Sequence, residues 1–363
     1  MADYIACVDA GNGGTNAALV GKNGKVTVVY IPSIRAAATG ERLGLDKGLE
    51  LSYQTVQWGG HRYITGDDAV TISKRALERH MGVNRYGNEF HQFLIAKALA
   101  DMGVKGGTVD LTVCVPPGVY REVKPVILER FKHFKHHAAI WLSDEAKPRD
   151  WEYESVTVMP EGICAAACFV LDDKGKKVKS EIFAGDVVVI DVGAYTVDAL
   201  LLQNGNFNPE MLQHTTWENE GVDLHLRQPI LAELKRQSQE FARATVDDVD
   251  LAIRRGAKKG KYTVSLGGYE ADITPLIAKH SERYAEWISN NIGDGIFNAM
   301  RGIKRLIVVG GGATLVTPHL RKWYGDKVVD PNAFPSTKNI HVADMNAVGG
   351  LRLRLKTAAV QVA

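Results

Sequence analysis

The sequence predicts an α/β protein of two domains, and two stretches of chain carry that prediction. Gly185 to Leu202, GDVVVIDVGAYTVDALLL, reads as a buried strand (Val187 to Ile190), then Asp191, a glycine turn and a second apolar strand (Thr196 to Leu202). Ile5 to Val20, IACVDAGNGGTNAALV, follows the same design: apolar strand, Asp9, a glycine-rich turn, Thr15, apolar strand. Both copies share Asp, one residue, Gly, and a Thr entering the next strand, with one residue more in the first turn. Two hairpins of one design, far apart in the chain, point to two similar lobes facing a shared ligand.

The chemistry of that ligand follows from the carboxylates. A charge at the end of an apolar strand is costly to bury and needs a donor, a cation or a hydrated metal beside it. The turn that follows offers backbone N–H groups and a hydroxyl suited to an anion. One such hairpin is equally a plain turn, since turn chemistry by itself favours Asp and Gly. Two of them fit a nucleoside triphosphate with Mg²⁺, the turns on the phosphates and Asp9 and Asp191 on the water shell that Mg²⁺ tends to keep.

Composition allows this and narrows the alternatives. A chain of 363 residues, 45% hydrophobic and 24% charged, is long enough for two domains with a large core. Its net charge of +2 gives no global electrostatic reason to bind nucleic acid. Cys7, Cys114, Cys164 and Cys168 form no CxxC pair and read as reduced, buried thiols of a cytosolic protein, the last two sharing a helix face. No apolar run approaches the ~20 residues of a membrane helix. The N-terminus enters a strand at once, so a targeting segment is not expected.

Taken in order, strands at Tyr4 to Val8, Asn16 to Gly21 and Val26 to Tyr30 form a meander with Asn23-Gly24 as its turn. From Arg35 to about Arg85 short strands and turns (Leu49 to Val56, Gly59-Gly60, His61 to Ile64) read as a small inserted subdomain. Asn88 to Met102 is expected as an amphipathic helix, stopped by Gly103. A strand at Val109 to Val115, a helix from Tyr120 to about Phe134 and a strand at Trp151 to Met159 follow. His133, His136 and His137 read as a solvated helix end favoured by the dipole, for no carboxylate or cysteine stands at a ligand spacing. Pro160-Glu161-Gly162 opens a helix over Ile163 to Leu171, and the Lys-rich turn Asp172 to Ser180 reads as a solvated loop. Asn219 to Arg243 is expected as one helix that Pro229 kinks or divides, with another starting at Thr245. Thr274-Pro275 starts a helix to about Met300, and Arg305 to Val309 is a buried strand. Thr317-Pro318 starts the next helix, Val328-Val329 is a short strand, and Asn346 to Lys356 is a terminal helix.

Three smaller features bear on function. Gly310-Gly311-Gly312-Ala313 after a buried strand allows close backbone approach to a base or ribose, or is a simple loop. Glu161 either complements a helix dipole or orients the attacking water of phosphoryl transfer. The basic run Arg254 to Lys261 either touches nucleic acid or lines a nucleotide pocket, and its single aromatic, Tyr262, favours the pocket.

In chain order, Asp9 to Asn16, Met159 to Ala167, Asp186 to Leu202, Leu306 to Leu315 and Val342 to Leu351 resemble the phosphate 1, connect 1, phosphate 2, adenosine and connect 2 motifs of the actin-like ATPase superfamily. The resemblance spans nearly the whole chain, and the CVPPGVY stretch (Cys114 to Tyr120) is similar to the ParM/StbA branch of prokaryotic actin-like proteins that segregate plasmids. It implies two ribonuclease-H-like domains around a nucleotide cleft, each with a five-stranded mixed sheet. The first takes residues 1–160 plus 342–363, with 35–85 inserted; the second takes 161–341, with about 205–270 inserted.

Carried over residue by residue, the resemblance implies Glu161 and Asp191 as catalytic, with Asp9 and Asp191 on Mg²⁺ through water. It implies Gly11, Asn12, Gly13, Gly14, Thr15, Asn16, Gly193, Ala194, Tyr195 and Thr196 at the phosphates of ATP or GTP. Gly310, Gly311, Gly312 and Ala313 are implied at the adenosine, with Arg255 and Lys258 near the base or ribose. This chain departs from the family at Asn16, where a lysine is frequent, and at Ala194-Tyr195, where small residues are usual. The implied function is a cytoplasmic, filament-forming ATPase that moves plasmid DNA through a ParR-type adaptor, itself touching neither DNA nor membrane. A sugar-type small-molecule kinase of the superfamily, or a cytoskeletal actin homologue for cell shape or organelle positioning, are the alternatives.

Overall fold

Both hairpins form, each inside its own compact unit. The computed structural model describes residues 2–38, 54–72, 76–133, 140–143, 145–206, 215–257, 259–294 and 302–362. One unit comprises Met1–Val113 and Glu122–Val158, the other Cys114–Arg121 and Met159–Ala363.

In the first unit β1 (Tyr4–Ala10), β2 (Gly14–Gly21) and β3 (Val26–Pro32) make the expected antiparallel meander, turning at Gly24 with φ +70°. Next come β4 (Arg35–Ala37), β5 (Thr55–Trp58), β6 (His61–Thr65), α1 (Gly66–Ile72) and β7 (Leu77–Glu78). They are followed by α2 (Glu89–Asp101), β8 (Thr108–Val115), α3 (Tyr120–His133), β9 (Trp141–Leu142) and β10 (Glu152–Pro160). The main sheet runs β10-β8-β1-β2-β3, and the short strands form a separate sheet, β7-β4-β6-β5-β9. Of the strand expected over Leu49 to Val56, only its last residues lie among those described, and they pair within this small sheet.

The helix over Asn88 to Met102 corrects the sequence reading. Asn88 caps α2 by accepting from His91 N at 2.9 Å, as its place predicts. The helix is not amphipathic in its setting, because every residue from Phe90 to Ala100 is buried. Phe93 meets the small sheet at Trp58 and Tyr63, with ring centroids 6.1 and 5.5 Å away. Two of its buried polar residues are satisfied nearby, Lys97 by Asp101 at 2.5 Å and Gln92 by Gly87 O at 2.8 Å. Arg35, also buried, joins the small sheet to α2 by ion pairs with Glu78 (2.7 Å) and Glu89 (2.6 Å) beneath the Tyr63 ring.

The second unit contains α4 (Ile163–Ala167), β11 (Asp186–Val192), β12 (Thr196–Gln203) and β13 (Thr216–Glu218). It continues with α5 (Gln228–Gln237), α6 (Val246–Gly256), β14 (Thr263–Leu266), β15 (Tyr269–Asp272) and α7 (Thr274–Asp294). β16 (Arg305–Val309), α8 (Ala313–Tyr324) and α9 (Met345–Val362) complete it. Its sheet runs β13-β12-β11-β16, with β16 parallel to β11. This is four strands among the described residues where five were expected, since Val328 makes only a single bridge to Leu306. One apolar core joins β11, β12 and β16 to α5, α6 and α7, so α5, α6 and β14 share the core of their unit.

Three further expectations change. The helix expected over Asn219 to Arg243 stays helical through Pro229, which falls in the first turn of α5 where its missing N–H is tolerated, and stops at Ser238. A π turn at Asp223–Arg227 precedes α5, and Ser238 is extended after it. α8 begins at Ala313, ahead of the Thr317-Pro318 start expected, and contains Pro318; the Thr317 hydroxyl donates to Ala313 O at 2.7 Å. The terminal helix, expected with the first domain, belongs to the second unit, where Arg352 donates to Cys168 O (3.0 Å) and Leu171 O (2.9 Å). These bonds cap the carbonyls that end the short α4 segment.

All four cysteines are buried free thiols. His136 and His137 lie outside the described residues, among which no cluster of His, Cys, Asp or Glu converges as a metal cage. No described helix is long and apolar enough to cross a membrane.

Candidate functional site

The hairpin of the second unit is built so that its turn amides share one side. Val222 N donates to Gly193 O (3.1 Å), Asp223 N to Ala194 O (2.8 Å) and Gly221 N to Tyr195 O (3.2 Å). In a trans peptide the carbonyl and the next N–H point opposite ways. The amides of Ala194, Tyr195 and Thr196 are therefore turned away from the Gly221 to Asp223 segment that holds the carbonyls, the arrangement of a backbone nest. Gly221 must be glycine, because a Cβ there would overlap the Tyr195 backbone.

Asp191 ends β11 beside this nest, and it is 6% exposed. Asn346 Nδ2 donates to its Oδ2 at 2.5 Å, while Gly162 N donates to Asn346 Oδ1 at 3.0 Å. One buried amide side chain thus links the Asp191 carboxylate to the peptide that follows Glu161. Burial raises the Asp191 carboxyl to about 6, against the lowering pull of the Asn346 hydrogen bond. Glu161 is itself buried at the turn from β10 into α4, its N–H bonded to Val115 O at 2.8 Å.

The glycine turn after β16 comes up to the same carboxylate. Gly310 has φ +90°, and a Cβ there would overlap Asp191 Oδ1. A Cβ on Gly312 would lie 2.5 Å from Val222 and 2.6 Å from Val192, whereas Gly311 faces open space. Ala313, expected at the adenosine, is instead fully buried in the core where α8 starts. Arg255 is exposed on α6 and makes no hydrogen bond or ion pair among the described residues; Lys258 lies outside them. Gly310→Ala is expected to combine backbone strain with displacement of Asp191. A fall of several degrees in melting temperature, read by scanning calorimetry, checks this.

In the first unit Asp9 is buried and sits opposite Asn16 on the β1–β2 ladder. Ser33 braces the turn between them: its N–H donates to Gly13 O (3.2 Å) and its hydroxyl to Gly11 O (2.7 Å). Thr15, expected at a phosphate, is wholly buried, and its hydroxyl lies 3.0 Å from Ser33 Oγ. It holds the turn from within. A Cβ on Gly14 would meet the tip of the Tyr30 ring on β3, a side chain that is 43% exposed. Asn16 Oδ1 is buried with no hydrogen-bond partner.

Sequence reasoning missed Ser33, Arg85, Gly221 to Asp223, Asp198 and Asn346. Asp198 lies opposite Asp191 across the ladder and accepts from Thr216 and, at 3.3 Å, from Thr196. The alternation TVDALLL places Asp198 two residues after Thr196, and that spacing is the one local sign of it.

The residues present fit a hydrated Mg²⁺–phosphate group. Gly310 leaves open the space next to Asp191 that a Cβ would fill, and the adjacent nest presents amides. A small set of carboxylates suits a cation that keeps several waters.

Comparison with known proteins agrees with this architecture. Residues 7–163 match the family model described as actin like proteins N terminal domain. Residues 189–322 match the model described as archaeal actin homologue MreB-like, C-terminal. Among solved structures, Bacillus thuringiensis ParM with AMPPNP superposes with a TM-score of 0.67 at 18% identity, covering 99% of this chain and 100% of that one. Ta0583, an archaeal actin homologue, gives 0.65 at 17% identity over 99% and 100% of the two chains. A non-polymerisable quadruple mutant of pCBH ParM gives 0.68 at 17% identity over 97% and 98%. At such identities the likeness is one of fold. No curated protein sequence matches the chain.

Proposed function

Because this chain belongs to the actin-like superfamily, we propose that it is a nucleoside triphosphatase that assembles into filaments with Mg-ATP or Mg-GTP bound and disassembles after hydrolysis. The observation that carries the reading is the Asn346 link, which holds a buried carboxylate and the Glu161 turn in one hydrogen-bonded unit beside a nest of amides. Phosphoryl transfer asks a protein mainly for such positioning and charge stabilisation.

Magnesium, when bound with the nucleotide, supplies neutralising charge at the phosphates. Asp191, and in this reading Asp9 of the other hairpin, would hold that hydrated cation through its waters. The amides of Ala194 to Thr196 and of the Gly11 to Gly14 turn donate to phosphate oxygens. Glu161 orients the attacking water and accepts its proton. Gly311, the open member of the glycine turn, admits the nucleoside.

Filament contacts in this reading are head-to-tail and open. A DNA-binding adaptor of the ParR type couples growth to plasmid DNA in the cytoplasm, and the chain binds neither DNA nor membrane itself. The ParM-like fold and the small net charge of +2 support that assignment.

The test is ninety-degree light scattering of the purified protein on adding Mg-ATP, then Mg-GTP, with negative-stain microscopy of each sample. A rise and decay with filaments on the grid is expected. A flat trace together with phosphate transfer to a sugar overturns the filament reading in favour of a kinase of the same superfamily. Glu161→Ala is expected to keep nucleotide affinity within about threefold while hydrolysis slows by roughly 10²–10³, the usual worth of a positioned base. Wild-type phosphate release by that variant removes Glu161 from the mechanism.

A further inference from the structure

The hairpin of the first unit carries a charge problem that its own residues do not solve. From Asp9 to Asn16 it holds one carboxylate and no lysine or arginine. A bound polyphosphate adds further negative charge to that turn, and a cation brought from elsewhere in the chain adds to the neutralisation that Mg²⁺ supplies.

Arg85 reaches the turn. It ends the short 3₁₀ turn Val83–Arg85 and is only 1% exposed. Its guanidinium donates to Asn12 Oδ1 at 2.9 Å, to Gly11 O at 3.1 Å and to Ala10 O. A guanidinium is always protonated and presents its donors in a rigid fork, so one side chain delivers charge and fixes three acceptors together.

Those bonds orient the turn. Drawing the Ala10 and Gly11 carbonyls onto Arg85 turns the amides of Gly11 and Asn12 the opposite way, since no peptide bond here is cis. Ser33 Oγ shares the Gly11 carbonyl, and Ser33 N holds Gly13 O, so the Gly14 amide is turned as well. The result repeats, with different partners, the amide arrangement of the Gly193 to Thr196 turn. His91, wholly buried, is pushed down to about 3 by its burial and by the Arg85 charge, and the Tyr86 ring faces the guanidinium at 5.2 Å.

We propose that Arg85 is the positioning residue of the first phosphate-binding hairpin, turning its amides outward and supplying, from behind the backbone, the positive field that the hairpin lacks. This inference rests on the nucleotide reading above. A residue that only braced the fold would affect all nucleotides equally. A residue that supplies charge and oriented amides discriminates by the number of phosphates.

The experiment uses the full-length protein with Arg85→Lys, which keeps the charge and loses the fork, and Arg85→Gln, which loses the charge and keeps an amide donor. Binding of ATP and AMP is measured by competition against a fluorescent ATP analogue, beside thermal melts. Arg85→Gln is expected to lose about 100-fold in ATP affinity and less than about threefold in AMP affinity, as for charge-assisted hydrogen bonds. Arg85→Lys is expected to fall between it and the wild type. If Arg85→Gln does not fold, the ATP-to-AMP ratio of Arg85→Lys, about tenfold below wild type, carries the test. Equal losses for ATP and AMP, or an unchanged ratio in a folded Lys variant, overturn the inference while wild-type binding leaves the nucleotide reading intact. A wild type that binds neither nucleotide overturns both.

Discussion

Gly349→Ala is expected to lower the melting temperature of the second unit by roughly 10 °C. Alanine inside a helix normally stabilises by about 1 kcal/mol relative to glycine. Here a Cβ on Gly349 of α9 would overlap the Cys164 carbonyl of α4 and lie 3.1 Å from Cys168 Sγ. The obstacle is backbone, which cannot rotate aside, so the two helices must separate. Their cross-links then suffer together: Gly162 to Asn346, Cys168 Sγ to Met345 O at 3.3 Å, and Arg352 to the α4 carbonyls. Overpacking against a rigid partner costs about 3 kcal/mol or more, which outweighs the gain in propensity. Gly311→Ala, at a position open on all sides, is the control and should melt within about 2 °C of wild type. Should Gly349→Ala melt alongside that control, the close approach of α4 and α9 is not a constraint on the fold. Because α9 carries Asn346, the same substitution is also expected to weaken the support of Asp191.

Asp191→Asn is expected to move two measurements in opposite directions. Mg-nucleotide affinity should fall by about 100-fold or more, since the variant lacks the charge proposed to hold the hydrated cation. The metal-free protein should become more stable. An acid raised from 3.8 to about 6 on folding destabilises the fold progressively as pH rises from the lower value to the higher, and by a constant amount above it. Asparagine removes that penalty while its carbonyl still accepts from Asn346, giving on the order of 1–3 kcal/mol at pH 7. Below about pH 4 both proteins carry a neutral group and should melt alike. Melting curves at pH 3.5 and 7 without metal, with calorimetric titration of Mg-ATP, make the comparison. Undiminished Mg-nucleotide affinity dismisses the metal role of Asp191, and a variant no more stable at pH 7 dismisses the burial penalty.

The hairpin of each unit was legible where the chemistry is local. The sequence of apolar strand, Asp, Gly and Thr is contiguous, and β1–β2 and β11–β12 form with Asp9 and Asp191 at the expected ends. Gly310, expected at the adenosine, was legible only as a glycine directly after a buried strand; its close approach to Asp191 was not. The supports of these residues were not. Arg85 bonds a carbonyl 74 residues away and Asn346 a carboxylate 155 residues away, and no local pattern marks an Arg or Asn for such a partner.

Local chemistry decided where strands stop, where glycines permit a turn and which turns end in a carboxylate, because backbone sterics and the burial cost of charge act over a few residues. Only the tertiary structure decided which side of each turn faces inward. Thr15 and Ala313 read as ligand-facing from their neighbours and are buried, because Ser33 and the core of the second unit claim them. The helix over Asn88 to Met102 read as half exposed and is covered all round, because a small sheet assembled from strands distant in sequence lies against it. Periodicity reports the apolar face of an element; how many faces are covered depends on what the rest of the chain brings to it.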